Sequence, residues 1–154
     1  MTGLQDKAKQ YAFKLLSYRG RSEKELAERL SKKGFTKPVA SSTIKYLKQT
    51  GLIDDRALAE SLKREVLTTK LLSHQGAKRF MLNRGIPGNI IDLALSNDVN
   101  KDIENAGKLV DRKLKTLKKC SQDTAKRRLY NLLFRRGYST EIIMSVLKDK
   151  TIKD

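Results

Sequence analysis

The side chains that could perform acid–base or nucleophilic chemistry are few in this sequence. Asp54 and Asp55 are adjacent carboxylates, and such a pair could share a proton or hold a metal ion. Both uses need a third ligand or a base, which the sequence does not supply. The same pair suits the first residues of a helix, where a carboxylate accepts backbone N–H bonds. We therefore expect a helix cap rather than a catalytic pair.

The chain has one histidine, His74, and one cysteine, Cys120. A nucleophilic site needs a base beside the nucleophile, and a zinc site needs about four ligands. The lysines before Cys120 could make its thiol reactive, although a half-buried structural residue is the simpler interpretation. The segment Gly85–Gly88 lacks the preceding strand and the Lys-Ser/Thr ending of a phosphate loop. We predict no catalytic residue, no metal and no cofactor, and hence a protein that is not an enzyme.

Basic side chains are the one abundant class of functional groups in this sequence. Its 154 residues hold 34 Lys and Arg against 17 Asp and Glu, a formal net charge of +17. The net charge is +8 over residues 1–50, +1 over residues 51–100 and +8 over residues 101–154. Such an excess indicates a polyanionic partner, bound through phosphate contacts with weak sequence specificity.

The basic clusters supply the candidates for contacting DNA or a filament. These are Arg19, Arg21, Lys32, Lys33, Arg84, Lys108, Arg112, Lys115, Lys119, Lys126, Arg127, Arg128, Arg135 and Arg136. A solvated polar face is the competing interpretation for any one cluster. Four tyrosines could stack on bases, although their helical spacing also suits core positions. They are Tyr18, Tyr46, Tyr130 and Tyr138.

Several classes of protein are excluded by composition. Since no run of about 18 apolar residues occurs, we expect no membrane span. The polar N-terminus predicts no signal peptide, and a lone cysteine fits a reducing cytoplasm. We expect a cytoplasmic monomer.

The elements that must position these groups are helices. Ser22 to Glu25 form a capping box, and apolar residues follow at helical spacing up to Gly34. Pro38 suits the first turn of the next helix. In the third part of the chain, an apolar stripe running to Leu117 predicts one long helix whose opposite side carries a basic stripe. That basic stripe consists of Lys108, Arg112, Lys115 and Lys119.

The pattern around Gly34 recurs at Gly85 and Gly137, at offsets of 51 and 52 residues. An apolar residue follows each glycine, so we predict a left-handed conformation at all three. We read three tandem three-helix repeats, at residues 1–51, 52–97 and 98–154. The predicted fold is all-α, with the repeats forming an elongated curved solenoid. Small-angle scattering tests that form, since a compact chain of this length has a radius of gyration near ~15 Å.

Four segments resemble the RecX family of bacterial RecA regulators. They are RGRSEKEL at residues 19–26, Lys33-Gly34-Phe35, Gly51-Leu52-Ile53-Asp54-Asp55 with Ala59, and Arg135-Arg136-Gly137-Tyr138. The resemblance covers about residues 8–150. It implies three tandem three-helix repeats lying in the deep groove of the RecA–DNA filament. There such proteins inhibit strand exchange, ATP hydrolysis and co-protease activity, and so affect homologous recombination, DNA repair and the SOS response.

Two functions from different classes therefore stand. One is a non-enzymatic modulator that binds the RecA filament together with single- and double-stranded DNA. The other is a free-standing DNA-binding regulator of the helix–turn–helix type, because three-helix units can resemble that motif. The last helix of each repeat is mostly apolar, whereas a recognition helix presents Arg, Asn or Gln to bases.

Overall fold

The computed structural model describes residues 3–151, which hold α-helices and no β-strand. The helices within that range are α1 Gly3–Tyr18, α2 Glu23–Lys33, α3 Lys37–Gln49, α4 Asp55–Arg64, α5 His74–Asn83, α6 Gly88–Ala94, α7 Val99–Leu114, α8 Gln122–Arg135 and α9 Thr140–Thr151. A single π-helical turn, Glu65–Thr69, continues α4. The predicted all-α fold is confirmed.

The helix ends follow the local signals in the sequence. The Ser22 hydroxyl accepts a hydrogen bond from the Glu25 amide, and the Glu25 carboxylate accepts one from the Ser22 amide, both at 3.1 Å. This capping box satisfies two amides that the first turn of α2 would otherwise leave unpaired. The second helix of each predicted repeat, namely α2, α5 or α8, is followed by a glycine with positive φ, as predicted. The φ angle is 105° at Gly34, 80° at Gly85 and 94° at Gly137.

The same type of backbone hydrogen bond forms at the C-terminus of each of these three helices. An amide two or three residues beyond the helix donates to a carbonyl in the last turn of that helix, which satisfies an otherwise unpaired oxygen. The three bonds join the Phe35 amide to Leu30, the Ile86 amide to Met81 and the Tyr138 amide to Leu133, each at 3.1 Å. The three helix ends that the repeat alignment matches therefore share one conformation and one hydrogen-bond pattern.

The described residues form two compact units, each with its own core. Unit 1 consists of residues 3–61 with Met81–Ala94, and unit 2 of Leu62–Phe80 with residues 95–151. The core of unit 1 is built on Leu15, Leu26, Leu30, Ile44 and Leu47. The core of unit 2 is built on Leu109, Val110, Leu129, Leu133, Tyr138 and Ile143. The sequence repeats and the compact units thus divide the middle of the chain differently, and the three-repeat division stays a prediction.

The long helix expected in the third repeat is shorter than predicted. Helix α7 ends at Leu114, and the amides of Thr116 and Leu117 then bond to carbonyls only three residues back, at 2.9 and 3.0 Å. These tighter turns bring Leu117 into the core, where 5% of its surface is exposed. Lys115 consequently caps α7, and Lys119 lies beyond it, so the four-residue basic stripe does not lie on one helix.

Candidate nucleic-acid interface

The adjacent aspartates cap helices, as the sequence predicted. The Asp54 carboxylate accepts hydrogen bonds from the amides of Arg56 and Ala57, at 3.0 and 3.2 Å. The Asp55 carboxylate instead accepts one from the amide of Glu23, at the start of α2, at 3.0 Å. Burial raises the pKa of Asp55. Among residues 3–151, no group of three or more His, Cys, Asp or Glu side chains is arranged to hold a metal ion.

His74 and Cys120 each contact a neighbouring side chain. The amide of His74, at the start of α5, donates to the Asp102 carboxylate at 3.0 Å. Burial raises the pKa of Asp102 as well. Cys120 is half-buried, and its sulfur lies 3.6 Å from the Arg128 guanidinium. The hydrogen bond of the His74 amide and the half-buried position of Cys120 fit the structural interpretation of both residues.

Two of the candidate arginines, Arg84 and Arg136, hold their own unit together. In unit 1, the Arg84 guanidinium donates to the Gly20 carbonyl at 2.9 Å. In unit 2, Arg136 donates to the Lys70 carbonyl. These positions correspond in the repeat alignment, and both arginines are only partly exposed.

The glycine after each of these arginines packs against the capping serine of an earlier helix. A Cβ at Gly85 would lie 2.6 Å from the Ser22 hydroxyl, and a Cβ at Gly137 would lie 2.6 Å from the Ser73 hydroxyl. We call each such set of aspartate, arginine, glycine and serine an interlock. The first comprises Ser22, Asp55, Arg84 and Gly85, and the second Ser73, Asp102, Arg136 and Gly137.

Arg19 and Arg21 differ in their partners. Arg19 is exposed and pairs with Glu25 at 3.0 Å, and Arg84 lies 3.4 Å from the same carboxylate. Arg21 is 8% exposed, and its buried Nε has no hydrogen-bond partner within residues 3–151. Burial, together with the charges of Arg19 and Arg29, lowers the pKa of Arg21. Arg21 is therefore much less accessible to an anion than Arg19 is.

The other ten candidates are exposed side chains. They are Lys32 and Lys33 in unit 1, and Lys108, Arg112, Lys115, Lys119, Lys126, Arg127, Arg128 and Arg135 in unit 2. Lys108 pairs with Glu104 at 3.2 Å, and Arg112 reaches the Thr69 carbonyl at 3.3 Å. Such exposed pairs are weak, so they leave these charges available to a stronger anion.

Helix α8 gathers four of the exposed candidates. Lys126, Arg127, Arg128 and Arg135 all lie on it, and Asp123 is its one acidic residue. Lys126, Arg127 and Arg135 form no ion pair with any residue in the range 3–151. This helix is the largest concentration of unpaired positive charge among the candidates of unit 2.

The four tyrosines fall into different environments. Tyr138 is 2% exposed, and its hydroxyl donates to the Leu71 carbonyl at 2.6 Å, so it belongs to the core. Burial raises the pKa of this phenol. Tyr18 is exposed, and the half-buried Tyr46 lies under Lys9, whose Nζ is 3.9 Å from the ring centre. Tyr130 is half-buried beside an aromatic residue that sequence reasoning missed, Phe134, which is 60% exposed.

Unit 1 also contains an open groove of about 1230 Å³ that the sequence did not suggest. Its apolar lining includes Phe35, Ile44 and Leu82, and Lys24 and Lys45 stand among its polar lining residues. No helix within residues 3–151 is long and apolar enough to cross a bilayer.

Two family models match the chain. The model described as RecX, first three-helix domain, matches residues 8–47, and the model described as RecX, third three-helix domain, matches residues 100–147. The chain is also 30% identical over 146 residues to the "Regulatory protein RecX" of Amycolatopsis mediterranei (strain U-32), covering 94% of this chain and 83% of that protein. The protein of the same name from Chlorobaculum tepidum is 30% identical, with 95% and 89% covered.

Solved structures support the fold. The crystal structure of RecX from Lactobacillus salivarius superposes with a TM-score of 0.75 at 23% identity, covering 99% of each chain. A second crystal structure, of a regulatory protein RecX, gives a TM-score of 0.76 at 24% identity, covering 96% of this chain and 74% of that one. At these identities the likeness concerns the fold alone.

Proposed function

Since the chain belongs to the RecX family of regulatory proteins, we propose that it regulates RecA by binding in the groove of the RecA–DNA filament. It acts there without catalysis, as a cytoplasmic monomer that suppresses strand exchange, ATP hydrolysis and co-protease activity. Single- and double-stranded DNA are bound through phosphates with weak sequence specificity.

The observation that carries the proposal, beside the family, is the unpaired positive charge on α8. Lys126, Arg127 and Arg135 are exposed and lack ion pairs among residues 3–151. A filament offers both DNA phosphates and acidic protein side chains, and binding releases the counterions that these phosphates hold.

Apart from the buried Arg21, the candidates divide into two groups in this mechanism. The exposed lysines and arginines contact the filament, whereas Arg84 and Arg136 keep their units folded through the interlocks. Several weak contacts along one groove reinforce one another, because each raises the effective concentration of the next. A bound protein then blocks the path of the second DNA strand and promotes disassembly of the filament.

Inhibition of RecA at substoichiometric ratios tests this function. Strand exchange and DNA-dependent ATP hydrolysis are measured while the protein is added below one copy per RecA. We expect both to fall, and a lack of effect at every ratio contradicts the proposal. A control without RecA compares binding to a promoter-like duplex and to its scrambled sequence; a strong preference for one duplex would favour a free-standing DNA-binding regulator instead.

A further inference from the structure

Helix α8 carries a stacked pair of aromatic rings at its surface. The rings of Tyr130 and Phe134 lie one helical turn apart, with centroids 6.4 Å apart and planes inclined by only 8°. Tyr130 packs partly against the core of unit 2, but Phe134 is 60% exposed. A large apolar side chain held in the open contributes little to folding, because most of its surface stays in water.

The repeat pattern does not require aromatic residues at these two positions. With the offsets that align Gly34, Gly85 and Gly137, Tyr130 and Phe134 correspond to Lys78 and Leu82 in the second repeat. In the first repeat they correspond to an alanine and a serine, at positions 27 and 31. Neither pair offers a ring, so the two aromatic side chains are particular to the third repeat, and the repeat pattern does not account for the exposed ring of Phe134.

Cations flank this pair along the same helix. Lys126 and Arg127 lie about one turn before Tyr130, and Arg135 directly follows Phe134; all three are exposed. None of the three forms an ion pair within residues 3–151. An exposed ring with cations on both sides matches single-stranded nucleic acid, in which unpaired bases and phosphates alternate along one strand.

We propose that the exposed face of α8 is a stacking platform for single-stranded DNA. An unpaired base stacks on Phe134, whose ring lies nearly parallel to that of Tyr130, and neighbouring phosphates contact Arg127 and Arg135. Duplex DNA keeps its bases stacked on one another and hidden from the ring, so the platform distinguishes single strands from duplex. The proposal deepens the proposed function by assigning the single-stranded DNA contact to one helix face, and it is tested without RecA.

The test separates stacking from charge with two probes. One is a labelled oligothymidylate, and the other is an abasic strand of equal length, which has the same phosphates and no bases. Their binding to the full chain is followed by fluorescence anisotropy over a range of salt concentrations. The variants are Phe134→Ala and, as a matched control, Phe13→Ala, which removes a ring that is 40% exposed on α1.

We expect Phe134→Ala to weaken binding of oligothymidylate by about five- to 150-fold, the size of effect known for loss of one base–aromatic stack. Its affinity for the abasic strand, and the dependence of its oligothymidylate affinity on salt, stay as in the unsubstituted chain. Phe13→Ala changes neither affinity. Arg127→Gln has the opposite signature, since it weakens both strands and lowers the salt slope by about 0.7.

Three outcomes would overturn the platform. These are unchanged oligothymidylate binding by Phe134→Ala, equal weakening for the oligothymidylate and abasic strands, or equal weakening for duplex DNA. The thermal midpoint of Phe134→Ala, compared with that of the unsubstituted chain, identifies a loss of folding, and Phe134→Leu then repeats the test with an apolar side chain retained. Inhibition of RecA is measured on the same variants: a protein that binds oligothymidylate through Phe134 but leaves RecA unaffected keeps the platform and refutes the proposed function.

Discussion

At the scale of single residues, the three glycines that follow α2, α5 and α8 adopt the same left-handed conformation but have different neighbours. All three have positive φ. An added Cβ at Gly34 would meet no atom within 4 Å, whereas at Gly137 it would meet the Gly76 amide and the Ser73 hydroxyl at 2.6 Å. The sequence marks the conformation in every repeat, but the close approach exists only where an interlock forms.

Alanine at the two sites is therefore expected to differ in cost. Gly34→Ala loses about 1–2 kcal/mol, from the left-handed conformation alone. Gly137→Ala loses a further ~1–3 kcal/mol of unfolding free energy, because the added methyl group displaces the backbone as in an overpacked core. Urea denaturation of the two variants checks this order. Equal losses would mean that the interlock yields to a methyl group without strain.

The Glu25 carboxylate gives unit 1 a dependence on pH. Burial by itself would raise the pKa of this carboxyl, but the Ser22 amide and the Arg19 and Arg84 guanidinium groups together lower it below its ordinary value of 4.5. A carboxyl with a lowered pKa in the folded state adds stability above its unfolded pKa and loses it as the pH falls through the folded value.

Glu25→Gln keeps the capping box but removes the charge. We expect the variant to be less stable than the unsubstituted chain at pH 7, and the difference to shrink as the pH falls below about 4.5. Denaturation midpoints of both chains at pH 7 and pH 3 test this. A difference that persists at pH 3 would assign the effect to hydrogen-bond geometry rather than to charge.

At the scale of elements, α8 combines an apolar side with a basic one. Leu129 and Leu133 are fully buried, while the neighbouring Arg127 and Arg128 are exposed. Folding fixes both sides at once, because residues of a helix four apart share a face. The helix thereby presents its cations without using them in the core.

Charge reversal on this helix tests its part in binding. We expect Arg127→Glu with Arg128→Glu to weaken DNA binding and to flatten the plot of log affinity against log salt. A control with Arg56→Glu and Arg79→Glu changes the net charge equally, at positions in the near-neutral middle of the chain. If both double variants lost affinity alike, net charge rather than α8 would govern binding.

At the scale of the whole molecule, the second interlock ties Leu62–Phe80 to the C-terminal part of the chain within unit 2. The N-terminus of α5 is held within unit 2 by Asp102, Arg136 and Gly137, whereas unit 1 has its own core. We therefore expect that residues 52–97 would not fold by themselves, in keeping with the small area that some 50 residues can bury.

A chain ending at residue 97 tests this dependence. We expect residues 62–80 to lose protection, since Tyr138 no longer covers Leu71 and Arg136 no longer bonds to the Lys70 carbonyl. Limited trypsin digestion with mass spectrometry should then show rapid cleavage after Lys70, while unit 1 is cut at the rate seen in the full chain. Protection of Lys70 equal to that in the full chain would refute the dependence.

The sequence by itself determined what is decided within one or two helical turns. The capping box at Ser22, the left-handed glycines and the all-α fold follow from backbone chemistry that neighbouring residues dictate. One local prediction was wrong: α7 ends at Leu114, and the tighter turns that follow place Leu117 in the core of unit 2.

Only the tertiary structure decided which residues of a given type stabilise the fold and which remain exposed at the surface. Arg84 and Arg136 bond to carbonyls 64 and 66 residues away, whereas Arg127 lies exposed, yet all three are arginines on or next to amphipathic helices. Local spacing carries no information about a partner so distant along the chain. The exposure of the Phe134 ring could not be predicted for the same reason, since burial depends on what packs against a helix rather than on the residues within it.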